Sequence, residues 1–202
     1  SKPLIIAEIA QAHDGSLGYA FSFINLASKC GADAVKFQAH YAEEETTLDE
    51  PFRKKFITKF KNRYEYWKNM EFTKAEWKSL FKYAKSKKLL FIVSTFSEKS
   101  FNLMKEIKID AIKIPSGEFI NLRNNDYILN SKMPLIFSTG MSDFKDIKLI
   151  DTILKRKKSN YSIMHCTSKY PTPLKDVGIN NILILKKNLN CIIGLSDHSG
   201  SP

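Results

Sequence analysis

Short runs of β-favouring apolar residues recur along this chain with amphipathic stretches between them, and that alternation constrains the fold more than any other feature. The runs are Leu4 to Ile9, Ala34 to Gln38, Leu89 to Thr95, Ala111 to Ile114, Leu135 to Ser138, Tyr161 to Cys166 and Cys191 to Leu195. They are largely continuous rather than alternating, as expected of parallel strands covered by helices on both faces. Between them, Thr73-Lys-Ala-Glu76 reads as a capping box opening a helix with Trp77, Leu80, Phe81 and Ala84 on one face. Phe101, Met104 and Ile107 mark a second helix, Ile147, Ile150 and Leu154 a third, and Ile182, Leu183 and Leu185 a fourth. Such alternation predicts βαβ units and a parallel sheet.

A doubly wound sheet would carry a Gly-x-Gly-x-x-Gly turn after its first strand, and none is present. An eight-stranded barrel usually takes about 250 residues. Seven strand candidates in 202 residues therefore predict an α/β fold of the (β/α)8 TIM type, truncated after the seventh strand, with residues 1–202 as one incomplete barrel domain. Residues 40–70 break the rhythm. They are charged and aromatic and too long for an ordinary βα loop, so they are expected to form a lid of short helices, with Phe52, Phe56 and Phe60 at helical spacing.

Charge excludes less than it first promises. The formal net charge is +11, but Arg occurs only at Arg53, Arg63, Arg123 and Arg156. Bidentate reading of bases or phosphates favours arginine, so the lysines of the helix faces read as solvated surface that draws in anionic small molecules. No nucleic acid is expected as a partner. No run reaches the roughly 18 apolar residues of a membrane span, and no leader-like segment precedes Ile5. Cys30, Cys166 and Cys191 are an odd set at wide spacing beside apolar segments, which predicts buried thiols in a reducing cytoplasm.

Parallel barrels collect their chemistry at the C-terminal ends of strands. Those ends carry Glu8; Lys36 and Gln38; Ser94 and Thr95; Lys113, Ser116 and Glu118; Ser138 and Thr139; His165, Thr167, Ser168 and Tyr170; and Ser196, Asp197 and His198. One such residue is easily a satisfied buried polar group; a polar turn at every strand end predicts an enzyme site at one barrel mouth. Lys36 and Lys113 with Thr95, Ser116 and Ser138 make a site for an anion rich in oxygens, such as a carboxylate plus a phosphate. Gly117 and Gly140 allow backbone N–H groups to approach it. A salt bridge to Glu118 or Asp197 is the bland reading of such a lysine, and a Schiff-base lysine the other chemical one. His198 is the best metal-ligand candidate. His13 either shapes the site or caps a turn, His165 is expected to face the core, and His40 has no assigned role.

In order, Ile6-Ala-Glu-Ile-Ala-Gln-Ala-His13-Asp-Gly15, Val35-Lys-Phe-Gln38, Lys113-Ile-Pro-Ser-Gly-Glu118, Ser138-Thr-Gly-Met141, His165-Cys-Thr-Ser-Lys-Tyr-Pro-Thr-Pro173 and Gly194-Leu-Ser-Asp-His198 resemble the sialic acid synthase family, which makes N-acetylneuraminate, legionaminate and pseudaminate. The resemblance implies condensation of phosphoenolpyruvate with an open-chain 2-acetamido sugar of the N-acetylmannosamine type, giving a nonulosonic acid and phosphate. It implies that Lys36, Thr95 and Lys113 hold the phosphoenolpyruvate carboxylate and that Ser116, Ser138, Ser168 and Ser196 surround its phosphate. Glu8, Gln38 and Tyr170 would contact the sugar, with Glu8 also moving a proton. His198 would be one of two histidines on Mn2+ or Mg2+, in a cytoplasmic homodimer.

The resemblance has departures. Ala10 and Ala12 stand where the family usually has Gly and Asn, and Ser168 replaces the Asn of some members. A second metal histidine and the family's small C-terminal antifreeze-like domain are not in the sequence, so the 202 residues alone are expected to be inactive. Two alternatives stay open: another barrel carbon–carbon enzyme (a Schiff-base aldolase or a different phosphoenolpyruvate sugar synthase), and a basic, non-catalytic polyanion-binding module.

Overall fold

The computed structural model describes residues 2–52, 59–119, 121, 122 and 125–201. Its strands follow the alternation closely. β1 (Ile6–Ala10), β2 (Ala34–Ala39) and β3 (Leu90–Thr95) lie in a first compact unit that ends at Asp110. β4 (Ala111–Ile114), β5 (Leu135–Ser138), β6 (Tyr161–Cys166) and β7 (Ile192–Ser196) lie in a second that begins at Ala111. Pairing within each unit is parallel between sequence neighbours.

The first unit's helices are α1 (Leu17–Lys29), α2 (Ala42–Glu45), α3 (Arg63–Met70), α4 (Lys74–Ser86) and α5 (Glu98–Ile107). Both halves of the capping box form: Thr73 accepts from the Glu76 N–H, and Glu76 accepts from the Thr73 N–H. That satisfies two otherwise orphaned donors, worth about 1 kcal/mol. α4 then buries Trp77, Leu80 and Ala84. Phe37 points toward the helices, its ring 5.5 Å from Phe91 and 6.2 Å edge-on from Trp77. The pleat therefore sends Lys36 and Gln38 to the opposite face of β2.

The second unit has α6 (Ser116–Phe119), α7 (Asp126–Leu129), α8 (Phe144–Arg156) and α9 (Asn180–Asn188). α8 buries Ile147, Ile150 and Leu154, the residues that predicted it. α9 forms where expected but buries only Leu185, leaving Leu183 and Ile184 exposed.

Several expectations are corrected. The first strand is Ile6–Ala10, because Leu4 and Ile5 are exposed and the Ile5 N–H bonds to the Asp33 carboxylate. The last strand starts at Ile192 and includes Ser196. In residues 40–70 two short helices do form, but Phe52 and Phe60 are in coil, each edge-on to Tyr66, and Phe56 lies outside the described residues. Packing on one tyrosine, not helical periodicity, explains those two aromatics. Cys30 is exposed at the C-cap of α1; Cys166 alone of the three thiols is fully buried. The surface reading of the lysines holds where they have partners: Lys85 with Asp110, and Lys155 with Asp151. No described helix is long and apolar enough to cross a membrane.

Candidate active site

In the first unit, Glu8 and Lys36 sit side by side in the β1–β2 register and form an ion pair. Beyond Glu8 the pairing slips, and Ala10 adopts φ +47°, the left-handed region that favours glycine. A Gly at this position, as in the resembling family, would take that turn without strain; here Ala10 absorbs it. The Ala10 N–H donates to Glu8 Oε1, so the bulge also aims the carboxylate. His13 Nδ1 accepts from the Gly15 N–H and so caps the turn, its buried Nε2 has no hydrogen-bond partner among the described residues, and burial holds its pKa down at about 4. Gly15 has φ +76°, and a side chain there would run into the Asn69 carbonyl. Gln38 half-emerges from β2, and Thr95 is buried at the end of β3.

The second unit gathers its residues around one sulfur. Ser116 Oγ accepts from the Gly140 N–H at 3.1 Å and donates to Cys166 Sγ at 3.7 Å. His198 Nδ1 lies 3.8 Å from the same sulfur and donates to the Thr167 carbonyl at 2.9 Å. The Tyr170 ring lies over His198, 4.1 Å between centroids, and Ser196 is level with Cys166 across β6–β7. Gly140 has no room for a Cβ, which would come within 2.4 Å of Ser168 Oγ and 3.1 Å of Cys166 Sγ. The chain ends of β5 and β6 thus touch only because residue 140 is glycine. Cys166, read from the sequence merely as a core thiol, is the centre of this set; its place as the last residue of β6 was the available signal.

Lys113 belongs to the same end of the unit. It is 8% exposed, and among the described residues no carboxylate pairs with it. Burial pushes its ammonium down to about 8, the nearby Cys166 thiol opposing that shift. Ser138 Oγ is buried with no hydrogen-bond partner. Desolvated cations and orphaned hydroxyls are costly, and an anion with acceptor oxygens would satisfy either. The partner proposed for such lysines at Asp197 is not used: Asp197 accepts from the Ser199 hydroxyl and N–H. His165 is a core histidine, its Nε2 donating to the Val177 carbonyl at 2.8 Å. A cleft of about 340 Å³ opens beside Gly140 and Cys166, lined also by Phe144 and Leu185.

A divalent ion is a partial fit. With Nδ1–H fixed on a backbone carbonyl, the other His198 nitrogen is a lone-pair donor, the arrangement metal-binding imidazoles use. No group of three or more His, Cys, Asp or Glu among the described residues makes a full ligand set.

Known proteins resemble this chain in sequence and in fold. The chain is 32% identical to the N,N'-diacetyllegionaminic acid synthase of Legionella pneumophila, over 96% of this chain and 57% of that protein. It is 34% identical to a pseudaminic acid synthase of Campylobacter jejuni, over 98% of this chain and 59% of that protein. The crystal structure of N-acetylneuraminic acid synthetase from Leptospira borgpetersenii serovar Hardjo-bovis matches with TM-score 0.85 and 31% identity, covering 98% of this chain and 66% of that one. The expected α/β barrel class holds, with seven strands present. The chain spans a little over half the length of these curated relatives. The NeuB family model matches residues 23–201. This chain belongs to the NeuB family, the family of the sialic acid synthases.

Proposed function

We propose that the protein carrying this chain condenses phosphoenolpyruvate with an open-chain 2-acetamido sugar of the N-acetylmannosamine type. The observation that carries this reading is Lys113, a buried ammonium with no carboxylate partner among the described residues, on the unit that also holds Ser116, the orphaned Ser138 hydroxyl and the Gly140 N–H. Lys36, Thr95 and Lys113 bind the phosphoenolpyruvate carboxylate; Ser116, Ser138, Ser168 and Ser196 bind its phosphate. Gln38 and Tyr170 orient the sugar, and the Glu8 carboxylate relays to the oxygen that was the aldehyde the proton given up by the water that adds at C2. C3 of phosphoenolpyruvate forms the new bond to the aldehyde carbon, water adds at C2, and the C2–O bond to phosphate then breaks. The products are a nonulosonic acid and inorganic phosphate.

His198, with ligands beyond the described set, would hold Mn2+ or Mg2+, which when bound polarises the aldehyde oxygen. A homodimer working in the cytoplasm completes the proposal. The test gives the protein phosphoenolpyruvate and a panel of 2-acetamido sugars, with and without chelator, and measures phosphate. Release that needs both substrates is expected; release from neither sugar nor phosphoenolpyruvate mixtures refutes the reading.

The lowered ammonium of Lys113 favours one second reading, a Schiff-base aldolase, since a neutral amine is the nucleophile there. Borohydride trapping of a carbonyl substrate on Lys113 would select it.

A further inference from the structure

His40, which follows β2 directly, is 5% exposed and held on four sides. Its ring is stacked between Trp67 of α3, 3.9 Å between centroids at 16°, and Phe96 after β3, 4.2 Å at 21°. Its Nδ1 meets Glu45 Oε2 of α2 at 2.6 Å, while Glu45 Oε1 accepts from the Tyr41 N–H. Its Nε2 meets Gln38 Oε1 at 3.1 Å, and the Gln11 amide donates to that same oxygen at 2.5 Å.

We infer that His40 is a positioning residue through which the 40–70 segment locks Gln38, leaving that side chain only its N–H2 to offer a ligand. An amide oxygen has two lone pairs; Gln11 fills one, and His40 fills the other because both of its ring nitrogens face acceptor oxygens, Glu45 Oε2 and Gln38 Oε1, and so both carry N–H. The Gln38 nitrogen has no partner among the described residues. Gln38 therefore selects acceptor atoms, a hydroxyl or carbonyl oxygen, and cannot accept from a ligand N–H or O–H. Glu45 and Trp67 of the 40–70 segment act on recognition through the His40 ring. Locking also removes the rotamer freedom that a glutamine would otherwise lose on binding. This inference rests on the proposed role of Gln38 in holding the sugar.

The test compares His40→Phe, which keeps the aromatic stack and loses both ring nitrogens, with His40→Gln, whose amide can still donate to Gln38. With phosphoenolpyruvate and N-acetylmannosamine as substrates, His40→Phe is expected to raise the sugar KM about tenfold, the loss of one hydrogen bond on the locked amide. The phosphoenolpyruvate KM and kcat should stay within about twofold, and His40→Gln should recover most of the loss. An unchanged sugar KM in a wild-type-active background overturns the inference alone, whereas a wild type without turnover contradicts the proposed function. In that second case the Gln38 side-chain amide resonances still decide. They should shift in His40→Phe and return toward wild type in His40→Gln; resonances indifferent to both variants overturn the lock.

Discussion

Lys36 and Lys113 occupy equivalent places, each near the C-terminal end of an inner strand, yet the two units treat them oppositely. In the first unit the neighbouring strand supplies Glu8, and the ion pair neutralises Lys36 within the protein. In the second unit no described carboxylate neutralises Lys113, and burial, opposed by Cys166, sets its chemistry. Taking an ammonium out of water costs several kcal/mol without a partner, so Lys36 would meet a ligand with its charge already balanced, whereas Lys113 would meet it as an uncompensated cation. The difference teaches that strand-end position nominates a residue, while its partner decides what it can do.

Replacing Lys113 by Met should break the contrast most visibly. Turnover by the proposed reaction should fall about a thousandfold, while the fold should gain about 2 kcal/mol because an unpaired buried charge is removed. Steady-state kinetics and thermal unfolding on the same variant check both; lost stability would mean Lys113 has a structural partner after all. Glu8→Gln probes the satisfied side. The Glu8 side chain is 39% exposed, so stability should change by less than about 1 kcal/mol, and kcat should drop about a hundredfold if Glu8 moves a proton. A variant with normal kcat would reduce Glu8 to a counter-ion for Lys36. The smallest effect belongs to Ala10→Gly. Relief of the positive φ should stabilise the fold by about 1 kcal/mol, read as a rise of a few degrees in Tm; a fall would show the bulge is not strained.

How much of this was legible in the sequence follows the same division. The strands with interior register, Ala111–Ile114, Leu135–Ser138 and Tyr161–Cys166, were readable to the residue because continuous apolar runs end abruptly in polar residues there. The edges of β1 and β7 were not, since Leu4, Ile5 and Cys191 are apolar in sequence but precede the strands, Ile5 meeting the start of β2 only through its carbonyl. Residue types at strand ends named Lys36, Lys113, Ser116, Ser138 and His198. Partners were hidden, because a partner such as Glu8 is set by cross-strand register, which periodicity does not encode. Cys166 was missed for a related reason: its role comes from Ser116 and His198, distant in the chain. His40 stayed silent because its stack depends on Trp67 and Phe96 arriving from two other elements.

The most direct test of Lys113 as an uncompensated cation is phosphoenolpyruvate affinity measured calorimetrically from pH 6.5 to 9.5 in wild type and Lys113→Met. Because the folded ammonium titrates near 8 rather than 10.5, anion affinity should be full below pH 8 and decline as pH rises through it. Folding stability should move the other way, rising between about pH 8 and 10.5 as the unfolded chain binds the extra proton. Both trends should be absent from Lys113→Met. Wild-type affinity that stays flat across pH 8, or that survives the substitution, would contradict the account.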